Sequence, residues 1–396
     1  MEFNPFSYAF HADPYPVYRW LRDDHPCYRH DELDCWVLSR YADVLDAHRD
    51  WETFSSREGP MIDAVDPAYF EANPILIAMD PPRHTRMRKL VSRTFTPNRV
   101  AALEPDIRAI AAGYLDPLRE AGGGDLVKDF TALLPMDVIF TLLGVPEADR
   151  LHLREQVDLM LDRDADSPAV PERSVLATIE MHTYFEAFIA DLRRDPASHP
   201  GLIADLLEVE VADDDGELAR LTDLEVNGFC GLLGAAGSET VTRLLANAAV
   251  LLQRFPDVHR ALLDDPGRIP DAVEEVLRYW PPSQIQARTA TRDVERHGVT
   301  IPAGGRVLML TGAATRDERE FPDPDDLRLD RPTHLALGFG HGIHVCLGAS
   351  LARSESRIAL EELNARFPRY EIDEERCERV HMTNVHGFAS VPFTAA

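Results

Sequence analysis

Apolar positions recur at helical spacing through most of the chain. Residues 131–144 (TALLPMDVIFTLLG), 147–161 and 174–194 each carry apolar side chains three to four apart, which predicts helices with one buried face. Strand-like runs are short and few, at 34–38 (DCWVL), 298–301 and 306–310 (RVLML). Two polar stretches break the pattern: RDADSPAVPER at 163–173, expected to be a mobile loop between two helices, and DDDGE at 213–217. The pattern predicts a mainly α chain with a minor β region. It contains no internal repeat, no low-complexity tract and no linker long enough to separate a pair of domains.

One helix stands apart. Thr222-Asp223-Leu224-Glu225 fits a capping box, in which the Thr and Glu side chains satisfy free N–H groups at a helix start. The helical pattern then continues to Phe255, where Pro256 stops it. About 30 residues of helix span about 45 Å, enough to cross a domain. Between Phe229 and Gly237 the segment is apolar on nearly every side, so it is expected to be central and buried. Gly228, Gly231, Gly234 and Gly237 recur every third residue, and each costs about 1 kcal/mol relative to alanine in a helix interior. Either a neighbouring helix or some bulky group must come close to this backbone.

Composition narrows the function classes. The chain has 41 basic and 68 acidic side chains, a net charge of −27, which argues against nucleic-acid or anionic-membrane partners. No basic and apolar leader opens it and no run of about 20 apolar residues occurs, so neither a signal peptide nor a membrane span is expected. The five cysteines are odd in number, scattered and never spaced CxxC, which favours a reducing cytoplasm over a disulfide framework.

Cys346 is the exception among them. In Phe339-Gly340-His341-Gly342-Ile343-His344-Val345-Cys346-Leu347-Gly348, glycines surround one cysteine just before a helix predicted over 347–366. Glycine permits turns with positive φ and close backbone approach, and N–H groups at a helix start lower the pKa of a nearby thiol. A thiolate aimed out of a tight loop is one reading. A structural cysteine, or a zinc ligand together with His341 and His344, are others, though no second cluster supplies further zinc ligands.

FGHGIHVCLGASLAR resembles the cysteine-loop signature of the cytochromes P450, at Phe339, Gly340, Gly342, His344, Cys346, Gly348, Leu351, Ala352 and Arg353. The resemblance implies haem b with Cys346 as the iron ligand, in one domain spanning 1–396. The implied fold is triangular and helix-rich, with the long central helix over the haem. It implies that His84 and Arg88, in DPPRHTRMRKLVSRTF, meet a haem propionate, with Arg288 and His344 as further partners. Asp80 is expected to cap the helix that carries His84 and Arg88 on one face. Ala236-Gly237-Ser238-Glu239-Thr240 is similar to the family's oxygen-activation segment. There Thr240 returns its hydroxyl to the Ala236 carbonyl and loosens the helix, while Glu239 relays protons. An acid merely paired with Arg243 is the plainer reading of Glu239. Glu275 and Arg278, joined by Arg331, match a structural triad.

The implied activity is a monooxygenase that takes O2 and two electrons from a ferredoxin and its reductase. A peroxide-driven enzyme or a haem-thiolate binding protein without turnover are alternatives. The protein is expected to be a monomer. Basic residues Arg83, Arg86, Arg88, Lys89 and Arg93, in an otherwise acidic chain, suggest a docking face for an acidic ferredoxin. Positions implied to meet substrate are Ile62, Val65, Ile77, Phe229, Leu232, Leu233, Ala236, Ile285 and Phe388, with 162–173 as a lid. They are apolar, so a terpenoid, steroid, polyketide or fatty acid is expected.

Overall fold

In a computed structural model the structure describes all residues except 63–65, 163, 165–168, 213–217, 333–335 and 383. The helices that position the site are α1 (Tyr41–Arg49), α2 (Pro67–Ala72), α3 (Arg83–Thr94), α4 (Glu104–Ala121), α5 (Leu133–Leu143), α6 (Glu147–Leu161), α7 (Glu172–Arg194), α8 (Asp223–Arg254), α9 (Ile269–Tyr279) and α10 (Ala349–Arg366). Each long apolar periodicity of the sequence thus becomes one helix. Some of the 163–173 segment and all of 213–217 lie outside the described residues.

Helix α8 is 32 residues long, about 48 Å, and both halves of its capping box form. The Glu225 N–H donates to Thr222 Oγ1 at 3.1 Å, and the Thr222 N–H donates to Glu225 Oε2 at 3.0 Å. From Leu244 to Leu252 every residue of α8 is buried, because α5, α9 and α10 pack around it. Helix α10 lies along α4, with Leu351, Ile358, Ala359 and Leu363 inward. This layer is the main apolar core.

The minor β region is a five-stranded sheet built from β1 (Cys27–His30), β2 (Cys35–Leu38), β3 (Phe54–Ser55), β4 (Ile285–Ala290) and β5 (Arg306–Leu310), in the order β1-β2-β5-β4-β3. Strand β5 runs parallel to β2 and antiparallel to β4, in a register that sets Val307 opposite Arg288. A second sheet joins Gly123–Asp125, Pro392–Ala395 and Tyr370–Ile372. Its strands are only three or four residues long, too short to show a period in sequence, and only their long-range pairing makes them strands.

One local expectation is corrected. Asp80 does not cap α3: its carboxylate accepts the Ser56 N–H at 2.9 Å and the Ser55 hydroxyl at 2.6 Å, and Pro82 occupies the cap position. The four glycines of α8 do not share one purpose, since Gly228 and Gly237 are nine residues apart and point to opposite sides. A Cβ on Gly228 would lie 2.2 Å from the Pro74 carbonyl oxygen, and one on Gly237 would lie 2.9 Å from Ile139 of α5. At Gly231 it would meet nothing within 4 Å.

Candidate functional site

The cysteine loop closes on itself. The Cys346 N–H donates to the Phe339 carbonyl at 2.9 Å, and the Gly340 N–H donates to Leu337 O at 2.8 Å. Gly340 and Gly342 have φ of 66° and 70°, so glycine is needed there. At Gly342 a Cβ would also lie 2.2 Å from the His48 carbonyl oxygen. Gly348 differs from the expectation. Its φ is −82°, and its contribution is a backbone N–H bonded to the thiol.

Cys346 is accessible to solvent, yet protein crowds it closely enough that desolvation governs its chemistry. Burial raises its thiol above the ordinary value, against the lowering effects of the Gly348 N–H, Arg88 and Arg353. Burial thus outweighs the lowering by the helix-start N–H that the sequence led one to expect. Coordination to a metal cation removes such a proton outright. Arg353 lies 4.5 Å from the Phe339 ring centroid and is paired with Glu274 of α9, which ties the loop to the helix layer.

Beside this loop sits a cluster of cationic and imidazole groups. The His84 and His344 ring centroids are 4.4 Å apart. His84 is buried with Nε2 unpartnered, while His344 Nε2 meets Ser56 Oγ at 3.1 Å. Arg288, on β4, is buried, and its guanidinium reaches only the Ala287 carbonyl, at 2.8 Å, with no carboxylate partner among the described residues. Burial draws it down to about 10. Burial also pushes His84 to about 4, helped by Arg88, and His344 to about 2, helped by Arg288. Arg88 donates to the Val345 carbonyl at 2.7 Å, so α3 and the cysteine loop are bonded directly. An unpaired buried guanidinium beside neutral imidazoles calls for an anionic ligand.

On α8 the Thr240 hydroxyl donates to the Ala236 carbonyl at 3.0 Å. The helix nonetheless runs unbroken, because a carbonyl oxygen has two lone pairs and can accept both bonds. Ala236 is exposed and Thr240 half-exposed, midway along a helix whose flanks are buried. Gly237 instead turns toward α5. Glu239 Oε1 accepts from Arg243 Nε at 2.7 Å and lies 2.6 Å from its Nη2. Arg243 also donates to the Phe388 carbonyl.

The ion-pair triad is buried and dense. Arg278 donates to both oxygens of Glu275 at 2.8 and 2.7 Å, and Arg331 Nε reaches Glu275 Oε1 at 3.1 Å. Arg278 further donates to the carbonyls of Thr315, Pro324 and Asp326, which fixes the 315–331 segment to α9.

The apolar positions sort by exposure. Phe229, Leu233 and Phe388 are buried in the main core, and Ile285 is buried in a separate cluster with Phe3 and Tyr18, where Ile62 also packs. Leu232, Ala236 and Ile77 retain accessible surface. Val65 and most of the lid's central stretch lie outside the described residues. Arg86 departs from its expected use: it pairs with the buried Glu225 at the first turn of α8 and donates to the Arg220 carbonyl, so it clamps two helices together.

Sequence reasoning missed His48, Ser56 and Asp158. His48 is buried with Nε2 unpartnered and is driven to about 3 by burial and then Arg288. Asp158 on α6 has its carboxyl raised by burial and then by Glu239, which places the two acids near each other. None of the three sits in a local motif.

A family model described as "Cytochrome P450" matches residues 269–392. Putative cytochrome P450 123 of Mycobacterium tuberculosis is 43% identical over 395 residues, covering 99% of this chain and 96% of that protein. Vitamin D(3) 25-hydroxylase of Pseudonocardia autotrophica is 37% identical over 98% of this chain and 95% of its own length. The crystal structure of CYP109E1 from Bacillus megaterium in complex with corticosterone superposes with a TM-score of 0.86 at 30% identity, covering 98% of this chain and 99% of that one.

Proposed function

The chain belongs to the cytochrome P450 family, and from that premise we propose that it hydroxylates a small hydrophobic substrate of steroid or terpenoid type. As a member it is an oxidoreductase of P450 monooxygenase type with a haem-thiolate cofactor. We read the cofactor as haem b, the electron source as a ferredoxin with its reductase, and the protein as one domain over 1–396, a cytoplasmic monomer. No described helix is long and apolar enough to cross a membrane.

The observation that carries this reading is the buried Arg288, which makes no ion pair among the described residues although Asp80 acts on it from a distance, beside a His84 whose Nε2 is unpartnered and next to the accessible Cys346 loop. That donor set fits a flat ligand with two carboxylates. Cys346 would hold the iron, and Arg288, His84, His344 and Arg88 would meet the propionates. Phe339, Gly340 and Gly348 would shape the sulfur side, and Ala236 the opposite face. Gly237 would act one step back, letting α8 settle against Ile139.

Bound haem supplies activation of O2 with two electrons and two protons, so that one oxygen atom enters a C–H bond and the other leaves as water. The remaining work falls to the chain. Thr240 keeps its hydroxyl on the Ala236 carbonyl and can turn it into the pocket by a rotamer change. Arg243 binds only Oε1 of Glu239, which leaves Oε2 as the atom able to take up and pass on a proton. Leu232, Ile77 and Ala236 offer apolar surface to a substrate. The vitamin D(3) hydroxylase and the corticosterone-bound relative support a fused-ring or long apolar skeleton.

The test is substrate-dependent NADH consumption by the haem-loaded protein with a ferredoxin and its reductase, alongside product analysis. A steroid or terpenoid that shifts the ferric Soret band and is then hydroxylated is expected. A panel of such compounds that neither moves the band nor raises turnover would remove this substrate class.

A further inference from the structure

Helices α2, α7 and the first turns of α8 enclose a cleft of about 590 Å³, within the ~300–1,000 Å³ range of small-molecule sites. It is separate from the Ala236–Thr240 face. Asn227 at its base and Ala236 are nine residues apart on α8, hence about 13 Å along the axis and on opposite sides of the helix. The contact of Gly228 with the Pro74 carbonyl presses the chain after α2 onto α8 just beyond Asn227.

Three large apolar side chains from three helices open into this cleft although solvent reaches them: Tyr69 of α2, Ile179 of α7 and Leu224 of α8, exposed by 43%, 56% and 49%. Val175 and Leu176, one turn earlier on α7, extend the apolar rim. The polar wall has one sign. Glu186 lies seven residues after Ile179, on the same side of α7, and has no ion-pair partner among the described residues. Asp223 is bridged to Arg193 at 2.8 Å, and among the described residues no Lys or Arg lines the cleft. The base is rigid, with His182 Nδ1 2.7 Å from Asn227 Oδ1 and Asn227 Nδ2 donating to the His182 carbonyl at 2.8 Å.

We propose that this cleft is a second, peripheral ligand site that takes small amphipathic organic cations, with the ammonium between Glu186 and the Tyr69 ring and the apolar body on Ile179 and Leu224. A carboxylate and an aromatic face with no competing cation is the arrangement that recognises quaternary ammonium groups. A neutral apolar molecule would leave Glu186 unused, and an anion would meet two carboxylates.

The probe is hexyltrimethylammonium, whose fully substituted nitrogen cannot ligate iron, titrated calorimetrically into the ferric haem-loaded protein while the Soret band is followed. Saturable binding at one site with an unmoved Soret band is expected, at least tenfold tighter than for hexanesulfonate. Glu186→Gln is expected to weaken it about fivefold or more, and Ile179→Arg to abolish it. Both positions are exposed on α7, so the variants should keep wild-type Soret spectra and substrate-induced shifts. No saturable binding, equal affinity for the sulfonate, a Soret shift accompanying the cation, or affinity unchanged in both variants would each overturn the proposal.

Discussion

Glu355 lies on α10, wholly buried, with Oε2 unpartnered. Burial raises its carboxyl far above the ordinary range, so the folded protein holds a proton there that the unfolded chain releases near pH 4.3. The folded state is therefore penalised as pH rises above about 4.3, and the penalty is absent below it. Glu355→Gln, which carries no titrating proton, is expected to stabilise the haem-loaded protein at pH 7 by at least about 1.4 kcal/mol, the linkage cost of a single pKa unit. Its advantage should vanish near pH 4, and a variant less stable than wild type in urea at pH 7 would contradict this. Thr240→Ala tests the alcohol. NADH consumption should stay within about twofold, while the product formed per NADH falls about tenfold, equivalent to about 1.4 kcal/mol, with peroxide making up the difference. Unchanged coupling would remove the role given to Thr240. At this scale the sequence exposed the residues that sit in local motifs, such as Cys346, His84 and Thr240. His48, Ser56 and Asp158 join the site through Arg288, His344 and Glu239, each more than 75 residues away in the chain, which no local pattern records.

Between elements, the ties are made by side chains whose sequence looks like ordinary surface charge. Arg86 of α3 holds the buried Glu225 of α8, and the pair is partly solvated on the arginine side. Arg86→Glu would set two carboxylates together and should cost about 2–3 kcal/mol, less than the ~3–5 kcal/mol of a fully buried pair. It is therefore unsuitable for testing partner docking. Arg83, on the same helix and exposed, is the better probe: Arg83→Glu should slow reduction by a ferredoxin at low salt and leave stability and substrate affinity unchanged. Stopped-flow reduction rates equal to wild type would exclude this face. Long helices were legible because three or more turns repeat the same period, and α8 was bounded correctly by its capping box and Pro256. Gly123–Asp125 was not legible, since a partner strand more than 260 residues away defines it, and Cys27–His30 alternates too weakly over four residues to show a period although its partner Cys35–Leu38 follows directly. The α3 cap was misread because Asp80 found stronger use bonding Ser55 and Ser56.

Across the whole molecule, an acidic chain of net charge −27 concentrates buried or partly buried cations around one loop. Arg288, Arg88 and the neutral imidazoles of His84 and His344 converge from β4, α3 and the cysteine loop, elements that only the complete fold brings together. That convergence is costly unless a dianionic ligand lies among them. The proposed function thus rests on the reading that the Cys346 sulfur holds the haem iron, and the most direct test is the absorption spectrum of the reduced, carbon-monoxide-treated protein. Wild type should show the strongly red-shifted Soret band of thiolate ligation, and Cys346→Ser should lose it even where haem is retained. An unshifted band in haem-loaded wild type, or a shifted band that survives in Cys346→Ser, would contradict that bond.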